Sequence, residues 1–140
     1  MSARYFLDTS IFVYSFDPIE PRKAQVAESL VTSGVTSGSG VISYLVVQEF
    51  LNVGLKKFKA TMTVAELENY FFRILLPMMK IPSSTELFLE ALRVQNAHRI
   101  GWYDSLIIAA ALRGKCEILY SEDLQHGRPF GDMVIQNPFL

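Results

Sequence analysis

The apolar and polar positions of the chain form alternating blocks that predict strands and helices in turn. Short apolar runs predict buried strands at residues 5–7, 41–42, 78–81, 117–120 and 133–135, the last of them at an edge. Apolar residues three and four positions apart predict helices at residues 21–33, 44–57, 63–75, 84–98 and 103–112. Because strands alternate with helices, we expect a parallel sheet covered by helices on both faces, in one domain spanning residues 1–140.

Residues that cap or interrupt helices set the expected boundaries. Pro21 suits the first turn of the first long helix, and Ser43 and Thr63 are expected to cap the helices that follow them. Residues 34–40 are rich in Gly, Ser and Thr, which predicts a connection. Pro77 is expected to end the third long helix.

Composition narrows the class of protein. The chain has 140 residues, 50% of them hydrophobic, and a net charge of -1, so bulk charge favours neither a nucleic acid nor a membrane as partner. The longest apolar run, residues 106–112, is far short of the roughly 20 residues that span a bilayer. With a single cysteine, Cys116, and no targeting segment, the chain is expected in the cytoplasm.

Four carboxylates stand where the pattern favours a different kind of residue. Asp8 ends the first strand, Asp123 follows the last major strand, Glu49 lies in an apolar helical stripe, and Asp104 opens the most apolar helix. The carboxyl ends of parallel strands meet at one edge of a sheet. We therefore expect Asp8 and Asp123 to lie side by side there, and Glu49 and Asp104 can point to the same place.

A cluster of four carboxylates would need a positive partner, because the charges repel one another. A set of oxygen ligands without His or Cys suits a hard cation, Mg²⁺ or Mn²⁺, and such ions serve phosphoryl chemistry. Each acid also has a structural interpretation. An Asp after a strand commonly forms a turn, Asp104 suits the dipole of its helix, and Glu49 could pair with a buried Arg.

The segments around the four acids resemble the acidic motifs of PIN-domain nucleases. These segments are Phe6-Leu7-Asp8-Thr9-Ser10, Val46-Val47-Gln48-Glu49-Phe50, Tyr103-Asp104-Ser105-Leu106-Ile107 and Ser121-Glu122-Asp123-Leu124. The ending, with Gln125-His126-Gly127 and then Asn137-Pro138-Phe139, is similar to VapC, the toxin family of bacterial VapBC toxin–antitoxin pairs. The resemblance extends over nearly the whole chain.

This resemblance implies a three-layer α/β/α sandwich with endoribonuclease activity that depends on Mg²⁺ or Mn²⁺. It also implies a homodimer, an RNA substrate and inhibition by a cognate antitoxin protein. The implied ligands of one or two metal ions are Asp8, Glu49, Asp104 and Asp123, with supporting hydroxyls from Ser10 and Ser121. Among them, Glu49 either binds metal or positions the water that attacks the RNA phosphodiester.

Other functions stay open at this point. A phosphatase or phosphotransferase could use Asp8 as a nucleophile, although that chemistry favours a second carboxylate at the position of Ser10. A PIN-type nuclease that is not a toxin, or a silent module that binds only metal or a partner, would carry the same four acids.

Several neighbouring residues have both a functional and a structural interpretation. Glu122 could be a further metal ligand, but it is expected to point away from Asp123, since adjacent strand residues face opposite sides. His126 could move protons but suits a turn, and Trp102 and Tyr103 could stack on a base but are expected in the core. The basic residues that could hold phosphates or complement helix dipoles are Arg22, Lys23, Lys56, Lys57, Lys59, Arg113 and Lys115. Phe71 and Phe72 could belong to a dimer interface.

Overall fold

A central sheet organises the protein, whose structure is a computed structural model describing residues 3–58 and 62–140. In this part of the chain the strands are β1 (Tyr5–Leu7), β2 (Gly40–Ser43), β3 (Met79–Ile81), β4 (Ile118–Tyr120), β5 (Pro129–Phe130) and β6 (Met133–Gln136). They lie in the order β3-β2-β1-β4-β6-β5, and every pairing is parallel except that of β5 with β6. The mainly parallel sheet predicted from the sequence is confirmed.

Helices connect the strands and flank the sheet, as predicted. They are α1 (Thr9–Tyr14), α2 (Pro21–Ser37), α3 (Tyr44–Lys57), α4 (Val64–Tyr70), a π-helical segment (Phe71–Leu75), α5 (Leu76–Met78), α6 (Thr85–His98) and α7 (Trp102–Arg113). In α7 the seven consecutive residues 105–111 are all buried, which confirms that this helix is central. No helix in the described part of the chain is long and apolar enough to cross a membrane.

The prediction of a connection at residues 34–40 was wrong, because α2 continues to Ser37 and ends at Gly38, whose φ is 73°. Gly34 lies inside the helix, where α2 passes very close to β2. A Cβ atom at Gly34 would lie 3.1 Å from Met78 Sδ and 3.2 Å from Gly40 Cα. Gly34 therefore marks a close approach between a helix and a strand. In the local sequence alone, the same glycine resembles the end of a helix.

We expect Gly40→Ala to destabilise the fold, because its Cβ would lie 2.7 Å from Met78 Sδ and 2.8 Å from Gly34 Cα. Overpacking of this kind lowers the free energy of unfolding by about 1–3 kcal/mol, which denaturant titration measures. Gly101→Ala is the matched control, since its Cβ would meet only the Asp104 carboxylate, at 3.9 Å. Equal effects of the two substitutions would contradict close packing at Gly40.

Two of the expected helix boundaries need correction. Ser43 does precede α3, but its side chain makes no capping bond and its buried hydroxyl has no partner. Pro77 does not end its helix, which continues through α5 to Met78 after the π-helical segment. The predicted helix cap at Thr63 is confirmed, because Thr63 forms a capping box with Glu66.

The last predicted strand is present but is not at an edge. β6 lies between β4 and β5, and the short β5 occupies the edge. β5 has only two residues, Pro129 and Phe130, so no periodic pattern could indicate it. Lys59, one of the basic residues noted in the sequence, lies outside the described residues.

Candidate active site

The adjacent ends of β1 and β4 create the centre of the site. The strands pair in parallel with Leu7 opposite Tyr120, so Asp8 and Ser121 follow them at the same level. The Asp8 backbone N–H donates to the Tyr120 carbonyl at 3.1 Å. Asp8 is also the N-cap of α1, and its Oδ1 accepts from the Thr9 backbone N–H at 2.7 Å. One residue thus closes a strand pairing and begins a helix.

Ser121 fixes the second oxygen of the Asp8 carboxylate. Its Oγ donates to Asp8 Oδ2 at 2.8 Å and accepts from the Leu124 backbone N–H at 3.3 Å. Ser121 is fully buried, so this hydrogen bond is shielded from water. Both carboxylate oxygens of Asp8 therefore have a fixed direction before any ligand binds.

Thr9 connects Asp8 to Glu49. The Thr9 hydroxyl donates to Glu49 Oε1 at 2.6 Å, from the residue directly after Asp8. Glu49 lies in the middle of α3, and the apolar residues around it are buried. This bond, between residues 40 apart in the chain, leaves Glu49 Oε2 available for another partner.

Asp104 and Asp123 complete the acidic group from α7 and from the segment after β4. Asp104 is in the first turn of α7, and both residues are exposed to solvent. Within the described residues neither carboxylate accepts a hydrogen bond from another side chain or from the backbone. The two side chains are therefore available to a ligand at the carboxyl edge of the sheet.

The charges of the four acids act on one another in pairs. Burial raises the pKa of Asp8 from its ordinary value of 3.8 to about 6; the hydrogen bonds from Ser121 and Thr9 oppose this rise, and the charges of Glu49 and Asp123 add to it. Burial, followed by the charge of Asp123, also raises the pKa of Asp104. The site thus concentrates negative charge at the carboxyl edge.

No cation of the described chain neutralises this charge. The ion pairs found there join Lys23 to Glu122 and Arg113 to Glu90, and neither includes one of the four acids. Within residues 3–58 and 62–140, no group of three or more His, Cys, Asp or Glu side chains is already arranged to hold a metal. The acids form an open set of oxygen donors and not a closed cage.

The chemistry of the donors nevertheless fits a hard divalent cation. Carboxylates and hydroxyls are the ligand types that Mg²⁺ and Mn²⁺ prefer. The Ser10 hydroxyl oxygen, two residues after Asp8, is buried and has no hydrogen-bond partner in the described structure. A divalent ion would also favour the ionised form of Asp8, whose pKa is raised mainly by burial and further by the charges of Glu49 and Asp123.

Comparison with known proteins identifies the family. Residues 5–129 match the family described as PIN domain. The chain belongs to the PIN domain family. No curated protein matches it in sequence.

Solved structures show the same fold over nearly the whole PIN domain. A toxin–antitoxin complex from Klebsiella pneumoniae is similar at 18% identity and a TM-score of 0.66, with 98% of each chain covered. VapBC2 from Rickettsia felis, bound to a DNA fragment from its promoter, is similar at 19% identity and a TM-score of 0.62, with 95% of this chain and 97% of that one covered. VapC20 from Mycobacterium tuberculosis, a toxin that cleaves the sarcin–ricin loop, is similar at 18% identity and a TM-score of 0.60, covering 85% and 89%.

Glu122 of this PIN domain has a partner outside the acidic group. It accepts hydrogen bonds from the Tyr14 hydroxyl and from Lys23 Nζ, both at 2.6 Å. The Lys23 ammonium also lies 4.7 Å from the centre of the Tyr14 ring. This network ties the segment after β4 to α1 and α2, so Glu122 and Asp123 have different surroundings although they are neighbours in the chain.

The remaining secondary candidates lie on the surface. His126 is exposed, and its Nδ1 accepts from the Asn137 backbone N–H at 3.0 Å, which is typical of a turn residue. The expectation that Trp102 and Tyr103 pack in the core was wrong, because they are 36% and 64% exposed. Both belong to the first turn of α7, whose buried face begins only at Ser105.

A cleft of about 330 Å³ opens beside the acids and contains two features that the sequence reasoning missed. Its lining includes the carboxylates of Glu122 and Asp123 together with Val13, Val53 and Lys57. The apolar lining and the role of Thr9 both depend on α1 packing against α3, which brings together residues about 40 positions apart. No local pattern indicates such a contact.

Proposed function

We propose that this PIN domain is a Mg²⁺- or Mn²⁺-dependent endoribonuclease and the toxin of a type II toxin–antitoxin pair. The observation that carries the proposal is the acidic group itself: four carboxylates at one sheet edge, none of them in an ion pair within the described residues, with an Asp8 whose pKa is about 6. Such an arrangement costs stability unless a ligand neutralises it, and acids of this kind are common at functional sites.

The residues that would hold the metal are Asp8, Asp104 and Asp123, together with Glu49. A bound divalent ion supplies two things: stabilisation of the charge that develops on the phosphate oxygens, and a lower pKa for water. Asp8 contributes a carboxylate with a fixed direction, because Ser121 and the Thr9 backbone N–H hold both of its oxygens. Asp104 and Asp123 contribute carboxylates that are not engaged elsewhere in the described chain.

Glu49 is the residue best placed to orient the attacking water. Its Oε1 is held by Thr9, while its Oε2 is available to accept a hydrogen bond from water. A fixed acceptor aligns the water for in-line attack on the phosphodiester, and positioning of this type accounts for much of the rate of phosphoryl transfer. Thr9 therefore acts as a positioning residue for Glu49.

The similarity to toxin–antitoxin structures over almost the whole chain supports the toxin assignment. An antitoxin protein and a homodimer are the partners that we propose. A surface groove of about 430 Å³ beside α3 and α4 suits a protein partner, since it is lined almost wholly by apolar side chains, among them Leu55 and Phe72, which are 53% and 63% exposed. A neighbouring reading frame with a DNA-binding N-terminal half would favour the toxin over a nuclease of another role.

We expect the purified protein to cleave single-stranded RNA with Mg²⁺ or Mn²⁺ present and to lose this activity in excess EDTA. The reason is that four unneutralised carboxylates repel the phosphodiester unless a cation intervenes. Gel analysis of a labelled RNA, with and without metal, measures the effect, and re-addition of Mn²⁺ after EDTA is the control. Cleavage at an undiminished rate in EDTA would contradict the proposed function.

A further inference from the structure

We propose that Lys57 binds the RNA phosphate that neighbours the scissile one, and that the cleft between Lys57 and the acids holds the intervening nucleotide. This inference rests on the proposed nuclease function and extends it to substrate binding. The cleft is lined by two carboxylates and a lysine ammonium: Glu122, which is paired with Lys23, Asp123, which is in no ion pair of the described residues, and Lys57.

The position of Lys57 is not explained by the fold alone. Lys57 is the last residue of α3, and its exposed side chain takes part in neither of the ion pairs found among the described residues. A basic residue at a helix end complements the helix dipole, but Lys56 in the same turn does so equally well. Of the two, only Lys57 lines the cleft that leads to the acids.

The cleft between the two charged ends suits a nucleotide. Val13 and Val53 provide apolar surface for a sugar or a base. The other nearby cation, Lys23, is already paired with Glu122 at 2.6 Å. Lys57 is thus the lysine of this region that is free, within the described structure, to pair with a phosphate.

The negative charge of the site explains why a lysine is needed beside it. The acidic group requires metal at the scissile phosphate, but the next phosphate along the RNA would lie near the same carboxylates and be repelled. An ammonium in the lining of the same cleft offsets this repulsion and attracts the RNA strand to the site. Such a contact is independent of base sequence and depends strongly on salt.

The test compares Lys57→Ala with Lys56→Ala for binding of a labelled single-stranded RNA. Both variants carry Asp8→Asn as well, so that cleavage does not interfere. We expect Lys57→Ala to weaken binding roughly tenfold, the equivalent of one lost charged contact. The slope of log Kd against log salt concentration should fall by about 0.7, whereas Lys56→Ala leaves both quantities within twofold of the parent.

Kinetics without the Asp8 substitution supply a second readout. We expect Lys57→Ala to raise KM while kcat stays within about twofold, and Lys57→Arg to restore KM, because it keeps the charge. Equal behaviour of the Lys57 and Lys56 variants, with RNA still bound and cleaved, would overturn this inference and leave the proposed function intact. Failure of the unmodified protein to bind or cleave RNA with metal present would overturn both.

Discussion

Asp8→Asn should reduce RNA cleavage at saturating Mg²⁺ by about a thousandfold or more, which corresponds to roughly 4 kcal/mol of lost transition-state stabilisation. The substitution keeps the size of the side chain and can still accept from the Thr9 backbone N–H, but it removes the charge. Asp8 is the best-fixed carboxylate of the site, since both of its oxygens have protein partners. Its loss would therefore remove the best-fixed of the carboxylates that we propose as metal ligands.

Graded variants distinguish loss of a metal ligand from general damage to the fold. Asp104→Asn should reduce cleavage to a similar degree. Thr9→Val should reduce it only about 10- to 100-fold, because it releases Glu49 without removing a carboxylate. The control is Asp132→Asn: Asp132 precedes β6, which runs parallel to β4, so it lies at the opposite edge of the sheet.

Initial rates of RNA cleavage measured over a range of Mg²⁺ concentrations separate weaker metal binding from slower chemistry. Circular dichroism confirms that each variant is folded. The control variant should cleave within twofold of the parent. Retention of a tenth of the parental rate by Asp8→Asn at saturating Mg²⁺ would show that Asp8 is not a ligand on which the reaction depends.

The placement of the acids illustrates what a single sequence can predict. Asp8 and Ser121 each follow a short apolar strand, and the rule that parallel strands end at one edge is enough to bring them together. Glu49 was identified as a candidate site residue for a different reason: a charged residue in an apolar helical stripe requires a polar partner or a ligand. Chemistry that contradicts the local pattern can therefore be located even before the contacts are known.

The parts of the structure that escaped prediction depend on contacts between distant segments. Gly34 looks like a helix stop in its own neighbourhood, and only Met78 and Gly40 show that it is a packing position. The Ser43 hydroxyl is adjacent to the helix that it was expected to cap, yet it is buried without a bond. Thr9 was assigned no role from the sequence, whereas its hydroxyl donates to Glu49. For Gly34 and Thr9 the deciding neighbours, Met78 and Glu49, lie far away in the sequence.

The second large effect that we expect is a pH dependence of stability in the absence of metal, with a sign set by Asp8. Its pKa is about 6 in the folded chain and close to the ordinary 3.8 in the unfolded one, so the folded state binds more protons between these values. The free energy of unfolding therefore falls as pH rises through this range. It increases again as pH falls and Asp8 becomes protonated. For this buried group the difference corresponds to roughly 3 kcal/mol.

Thermal unfolding in EDTA at pH 5 and pH 8 measures this effect. The parent should have a melting temperature lower by roughly 5 °C at pH 8, because about half of the penalty is already present at pH 5, given the unfolding entropy of a domain of this size. Asp8→Asn should largely remove the difference and should exceed the parent in stability at pH 8, because it carries no buried charge. Asp132→Asn, which alters an exposed residue, should behave as the parent does.

Metal binding to the same carboxylate should stabilise the fold more at high pH than at low pH. Mg²⁺ or Mn²⁺ binds ionised acids, so it should raise the melting temperature of the parent strongly at pH 8 and little at pH 5. Asp8→Asn should lose most of this gain, which ties the stability penalty and the metal site to one residue. If Asp8→Asn instead lowers the melting temperature in EDTA at pH 8, then the hydrogen bonds from Ser121 and Thr9 stabilise the fold more than the buried charge destabilises it.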